Sequence, residues 1–389
     1  MFCRLFVSLQ LLASVNERGL NYRVRVMASP RIGNQTAKSV GNGYTFIDLF
    51  AGMGGFHLAL EELGAECVFA SENNAYARAT YEKVFERSPL FSQGLEAFNK
   101  DLTDVTRLKI TENGAVRKST RLQKRLKEQI KNAIRPFDVL CAGFPCQPFS
   151  QAGHKRGFVD ARGNLFFDIE RILKVHEPEV VFLENVRNLL KHDDENTIEV
   201  IKKSLKNAGY GDVLTPVVWA SEHGLPQHRP RVFIIGFRNA KARIYFEKNM
   251  PKTREYFDKR NPNARTLSLT MSTVLGGAVT MKDPESDDTR RDIGFTLRVG
   301  GRMSPIGARQ NWDCYWVNGE EMRLLPKHGL MMQGFTRSIE DGANWFPEGV
   351  SEVQAMKLLG NSVAVPAVRD YAEVIFRSLR AANISPRVK

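Results

Sequence analysis

Cys146 stands between Pro145 and Pro148 in the stretch GFPCQPFS, residues 143–150, directly after the apolar run FDVLCA. A proline fixes its own φ and pushes the residue before it toward extended backbone, so this thiol is held in a stiff loop. A buried, inert cysteine is one reading. A nucleophile that must meet its target in one orientation is the other. Glu184, in FLENVRNLL (182–190), closes a second apolar run. A carboxylate there is costly unless it serves a ligand or a partner, and against an apolar wall it would suit a proton donor. Arg229 and Arg231 are two apart in PQHRPR (226–231), at the start of a further apolar run. On an extended chain both point to one side, as needed to grip a phosphate or carbonyl oxygens. A solvated basic edge is the plainer alternative.

A second group suits a nucleotide-like ligand. DLFAGMGG (48–55) follows an apolar run and opens a helical pattern. Its glycines Gly52, Gly54 and Gly55 allow a tight turn and close approach of the backbone to a ligand. Alone, this turn fits a dinucleotide, S-adenosylmethionine or no ligand at all. Glu72 falls at the end of the next apolar run, where an acidic residue can bind ribose hydroxyls. Asp101, after AFNK, is either a third carboxylate able to accept from an adenine amino group or a loop residue.

The elements that must carry these residues alternate strand and helix. YTFIDLF (44–50), ECVFAS (66–71), PFDVLCAG (136–143), PEVVFLEN (178–185) and RVFIIGF (231–237) read as buried strands. GFHLALEELG (55–64), NAYARATYEKVF (74–85), NLFFDIERILKVH (164–176) and TIEVIKKSLKNAGY (197–210) have helical spacing. The pattern predicts an α/β fold with a mostly parallel sheet covered on both faces, whose ligands sit at the carboxyl ends of the strands. Within 107–135, Leu122, Leu126, Ile130 and Ile134 recur every four residues, predicting an amphipathic helix with a basic outer face.

The expected domains are an extension over 1–43, a cofactor-binding and catalytic domain over 44–238, a smaller irregular domain over 239–357 and a returning segment over 358–389. MFCRLFVSLQLLASV loosely imitates a signal peptide, but Met27 opens a polar lead-in, so residues 1–26 read as an upstream start or a disordered extension. The formal net charge of +13 suits a polyanionic partner, most simply nucleic acid. No apolar run approaches the ~18 residues of a membrane helix. The five cysteines, Cys3, Cys67, Cys141, Cys146 and Cys314, show neither a disulfide framework nor a metal-ligand spacing, which reads as an intracellular, reduced chain without a metal.

The ordered set DLFAGMGG, Glu72, Asp101, GFPCQPFS, RGNLFFDI, FLENVRNLL, HGLPQHRPR and LLGNSVAVPA covers about 44–380. With these motifs in this order, the chain resembles the cytosine-5 DNA methyltransferases of bacterial type II restriction–modification systems. The resemblance implies a Rossmann-like, S-adenosylmethionine-dependent methyltransferase fold, with 239–357 as a target-recognition domain reading duplex DNA. It implies that Cys146 adds to C6 of a cytosine flipped out of the duplex, that Glu184 is held near N3, and that Arg229 and Arg231 contact the base and the reactive loop. Phe50, Gly52, Gly54, Glu72, Asp101, Leu102, Pro145, Leu165, Asn361 and Ser362 would hold S-adenosylmethionine. SQAGHKRGF (150–158) would be a mobile lid hinged at Gly153 and Gly157. The implied protein is a monomer in the bacterial cytoplasm, at the nucleoid, functionally paired with a restriction endonuclease.

Three positions depart from the family pattern. Asn73 stands where an aromatic commonly follows the ribose-binding glutamate, and Lys327 and His328 replace an Arg–Glu pair. A cytosine-5 methyltransferase acting on tRNA is the nearest competing reading. An NAD-dependent oxidoreductase would share the glycine turn and Glu72 without using Pro-Cys-Gln. A non-catalytic DNA-binding module would use neither Cys146 nor Glu184. Arg302, Arg309 and Asn311, within 239–330, are candidate base contacts.

Overall fold

A computed structural model describes residues 40–85, 120–144, 165–251, 269–280, 293–335 and 345–387 of the 389. Its centre is a six-stranded sheet in the order β2-β1-β3-β4-β6-β5. The strands are β1 (Thr45–Leu49), β2 (Glu66–Ser71), β3 (Val139–Gly143), β4 (Val180–Val186), β5 (Val217–Trp219) and β6 (Pro230–Phe237). β2, β1, β3 and β4 run parallel, while β6 is antiparallel to both β4 and β5. The sheet is thus mostly parallel, and β6 is a reversed strand near one edge.

Side chains alternate along each strand and divide between two cores. Phe46, Cys141, Phe182, Phe233 and Ile235 face one core. It is covered by α1 (Gly55–Glu61), α2 (Ala75–Val84) and, from far along the chain, α9 (Glu352–Asn361) and α10 (Val365–Ala381). Ile47, Leu140, Ala142, Leu183 and Ile234 face the other core, covered by α3 (Thr120–Ala133), α4 (Leu165–His176) and α5 (Asn196–Asn207). These runs are continuously apolar because both faces are buried. α3 confirms the predicted amphipathic helix, with Ile130 and Ile134 buried.

Phe182 shows how the sheet is held under its carboxyl edge. It packs edge-on against Phe56 of α1 at 5.2 Å and against Phe233 of β6 at 5.1 Å. Each such aromatic pair contributes about 0.5–1.5 kcal/mol beyond the buried area. Glu184 lies two residues further along the same face of β4, so its backbone position is fixed by this cluster.

Two expected boundaries shift. The fold engages the chain by Val40, which is buried, with Gly41 N donating to Leu63 O and Arg380 Nε donating to Val40 O at 2.7 Å. Residues 40–43 therefore belong to the packed structure rather than to an extension. Beyond 239, where the sequence pattern ends the sheet domain, α6 (Ala240–Asn249) still packs on the first face. Its Phe246 meets Phe237 at 5.2 Å and Tyr371 of α10 at 6.3 Å. Its basic surface conceals the few apolar positions that face inward.

The region expected to be irregular holds α7 (Met271–Leu275), α8 (Pro326–Gln333) and a three-stranded antiparallel sheet. That sheet comprises β7 (Val279–Thr280), β8 (Cys314–Val317) and β9 (Glu320–Arg323). β8 and β9 form a hairpin turning at Asn318 and Gly319, both at positive φ. An Asn-Gly pair suits such a turn because both residues tolerate the left-handed region.

Candidate active site

Glu184 and Arg231 meet at the carboxyl end of the parallel strands. Glu184 pairs in register with Gly143 on β3 and with Phe233 on β6, and Arg231 lies two residues from Phe233 on the same face. The diagonal brings Arg231 Nε to 2.8 Å from Glu184 Oε1, with both side chains largely buried. The sequence suggested an apolar wall beside Glu184; its neighbour is instead a guanidinium. Burial pulls the Arg231 pKa down, and the Glu184 charge partly offsets this. A Cβ at Gly143 would lie 3.8 Å from Glu184 Oε2, in ordinary contact, so a residue of minimal size leaves the carboxylate open on that side.

Arg229 does something different from Arg231. It is buried, and its guanidinium donates to Leu297 O at 3.1 Å, Gly360 O at 3.0 Å and Ser362 O at 2.5 Å. The two arginines flank Pro230 but have different partners. Arg229 grips carbonyl oxygens of its own chain, tying the 297 segment to the GNSV turn, whereas the ion pair with Glu184 is made by Arg231. Burial, and then repulsion from Arg231, pull its pKa well below the usual guanidinium value.

The glycine turn is built on left-handed backbone. Phe50, Gly52 and Gly54 have φ of 56°, 56° and 82°. For Phe50 this is unusual, since the Cβ crowds the following carbonyl there. Glu72 stitches the turn: Gly52 N donates to Oε2 and Asn74 N donates to Oε1, each at 2.8 Å. Among the described residues a Cβ at Gly52 would meet nothing within 4 Å, so on their side the turn faces open space. At Gly55 a Cβ would come 2.5 Å from Val363 Cγ2 and 3.4 Å from Ser362 Oγ. The far end of the chain is thereby packed onto the first helix. Ser362 is buried there, and Asn361 is exposed beside it. Leu165, half-buried, opens α4 on the other face of the sheet. Asn73 is exposed, and the next aromatic along the chain, Tyr76, is 42% exposed.

Cys146, Pro145, Asp101, Leu102 and the expected lid 150–158 lie outside the described residues. Phe144 is described, two positions before the thiol. Asn185 Nδ2 donates to Phe144 O at 2.8 Å, and Asn185 Oδ1 accepts from Val186 N at 2.8 Å. Asn185 thus anchors the departure of the chain from β3 toward Cys146. The sequence reading left it without a role. Buried Gln227 was also passed over. Its Nε2 donates to Met332 O at 3.0 Å and its Oε1 accepts from Leu297 N at 2.9 Å. Gln333 Nε2 donates to Leu359 O at 2.8 Å. Apart from their place in motifs, nothing in the pattern marks such buried amides, since their partners are backbone groups distant in sequence.

Of the guessed base contacts, two are spent on structure. Asn311 is buried and closes a turn onto Cys314. Arg302 pairs with Asp313 and Glu352 and donates to Leu324 O. Arg309 is exposed.

Residues 44–297 match the family model for the C-5 cytosine-specific DNA methylase. The chain belongs to this family. It is 33% identical to the type II methyltransferase M.HhaI of Haemophilus parahaemolyticus over 359 residues, covering 87% of this chain and 95% of that protein. It is also 33% identical to the type II methyltransferase M.NlaX of Neisseria lactamica, covering 87% of this chain and 98% of that protein. In fold it matches the crystal structure of the S. pombe Dnmt2 methyltransferase with a TM-score of 0.54 at 18% identity, over 87% of this chain and 99% of that one. Within this cytosine-5 methylase, the departure at Lys327 and His328 has a local answer. His328 is buried at the start of α8, where its Nδ1 accepts from Leu325 N at 3.0 Å. It caps the helix in place of an acidic residue.

Proposed function

We propose that this methylase transfers a methyl group from S-adenosylmethionine to C5 of a specific cytosine in duplex DNA, and so protects host DNA from a cognate restriction enzyme. The observation that carries the reading is the Glu184–Arg231 pair at the strand ends, with Glu184 directly opposite Gly143 on the strand leading to Cys146. The likeness to type II methyltransferases across nearly all of both chains favours duplex DNA over tRNA as substrate.

S-adenosylmethionine supplies an electrophilic methyl group on a sulfonium. The residues present fit a nucleoside of this kind. The open space at Gly52 admits a ligand against the backbone, and each Glu72 oxygen that accepts one amide keeps acceptor capacity for ribose hydroxyls. Ser362 and Val363 close the far side of the turn.

The chemistry proceeds on the cytosine. The ring is too poor a nucleophile at C5 to react directly. The Cys146 thiolate adds to C6 and pushes the C5–C6 electron pair into an enamine, so that C5 can take the methyl group. Glu184, held by Arg231, sits near N3 and stabilises the ring as its electrons shift. Loss of the C5 proton to water then expels the thiolate by β-elimination and restores the aromatic ring. Both ring faces must be reached, so the base leaves the stack.

Incubating the protein with S-adenosylmethionine and random-sequence duplex DNA, followed by bisulfite sequencing, tests this. Protected cytosines within one short recurring sequence are expected. Methyl transfer to tRNA with none to duplex DNA would contradict it.

A further inference from the structure

Among the described residues, Arg187, Arg229 and Arg231 stand at the strand ends of the site, and the last two are committed within the protein. Arg229 holds backbone carbonyls and Arg231 holds Glu184. Arg187 is exposed and makes no carboxylate ion pair among the described residues. It begins the 3-10 turn Arg187–Lys191 that follows β4, three positions beyond Glu184. At ~3.3 Å per residue, that places its backbone about 10 Å beyond the backbone of Glu184. Its side chain is not loose. The guanidinium carbon lies 5.5 Å from the centre of the Trp219 ring, and that ring packs against His228 at 4.4 Å. Trp219 pairs with Pro230 at the end of β5, and Val218 pairs with Arg231. The stack therefore stands on the same strand ends as the Glu184–Arg231 pair.

We propose that Arg187, braced by Trp219, is a phosphodiester-binding site that grips the DNA backbone beside the target cytosine. This rests on the reading of the protein as a duplex DNA methylase. A cytosine is joined to its flanking phosphates through one sugar, so a base held at Glu184 brings backbone phosphates to the rim where Arg187 stands. The aromatic stack limits the rotamers of Arg187 before DNA arrives, so less side-chain entropy is lost on binding. The planar guanidinium can stack on Trp219 and still direct its edge N–H groups at two phosphate oxygens, which a lysine ammonium cannot. The contact carries no sequence information. It fixes the register of the duplex over the site.

The test measures duplex DNA affinity of the full chain by fluorescence anisotropy over a salt series, with methyl-transfer KM values for DNA and for S-adenosylmethionine. For Arg187→Ala, DNA affinity should fall about 5–10-fold at low salt. The slope of log affinity against log salt should shrink by about one, the value for one lost phosphate contact. The KM for S-adenosylmethionine should not change. Arg187→Lys should keep the salt slope but recover only part of the affinity. Trp219→Leu should weaken DNA binding less than Arg187→Ala. A wild-type slope and affinity in Arg187→Ala would overturn the proposal while leaving the methylase reading intact. A wild-type protein that methylates no duplex DNA would overturn both.

Discussion

Replacing Arg229 by lysine keeps the positive charge and removes the fork that joins three carbonyls. Leu297 O, Gly360 O and Ser362 O all accept from this one guanidinium in the core. A lysine head is compact and reaches one of them, so two acceptors lose a charge-assisted hydrogen bond. Each such bond is worth about 1.5–3 kcal/mol net. A water in the space left by the smaller head can donate to a freed carbonyl, which offsets some of this loss. The expected destabilisation is about 3–4 kcal/mol. At about 2 °C per kcal/mol for a chain of this size, the melting temperature should drop by about 6–8 °C. Differential scanning calorimetry reads this directly, and methyl transfer measured well below the melting point separates folding from chemistry. An Arg229→Lys protein that melts within about 2 °C of wild type yet transfers no methyl group would refute the reasoning. It would put Arg229 on the substrate rather than on the chain's own carbonyls.

Gly52→Ala should cost only about 1–2 kcal/mol of stability, because the new methyl meets no neighbour among the described residues and the left-handed φ of 56° is what opposes it. The same methyl would project into the ligand space, so the KM for S-adenosylmethionine should rise at least severalfold in a steady-state assay while duplex DNA affinity stays unchanged. His328 links stability to pH. Burial, and then Lys327, push its pKa down to about 4, below the ordinary 6.5, and its Nδ1 must be unprotonated to accept from Leu325 N. The unfolded chain therefore binds the proton more readily. The contribution is fully present above pH 6.5 and is lost as pH falls toward about 4. Melting temperatures of wild type and His328→Gln at pH 7.5 and pH 5 should show a smaller drop in the variant; equal drops would exclude His328 as a source.

The sheet was legible because its signal is local. β1, β2, β4 and β6 are largely apolar runs, and an acidic residue stands at or just after the end of two of them, Glu72 after β2 and Glu184 in β4. β5 was missed because three residues, Val217–Trp219, give too short a run to separate from loop. α6 was missed because only Ala242 and Phe246 are buried on an otherwise basic helix. The β8–β9 hairpin carried a readable Asn-Gly signal within a stretch that otherwise looked irregular. In the site, residue types pointed to Glu184 and Arg231, whereas the division of labour between Arg229 and Arg231 depends on contacts 68 to 133 positions away, which no local pattern records. Asn185 was hidden for the same reason, since its partner is a backbone carbonyl just past the end of β3, 41 positions away.

The most direct measurement concerns Cys146. Wild type and Cys146→Ser should be incubated with duplex DNA and S-adenosylmethionine carrying a labelled methyl group, with transfer to C5 of cytosine counted. The hydroxyl of serine is a far weaker nucleophile than a thiolate at neutral pH, so the variant should bind both partners and lose nearly all transfer. Normal turnover by Cys146→Ser would contradict the covalent mechanism on which the whole account depends.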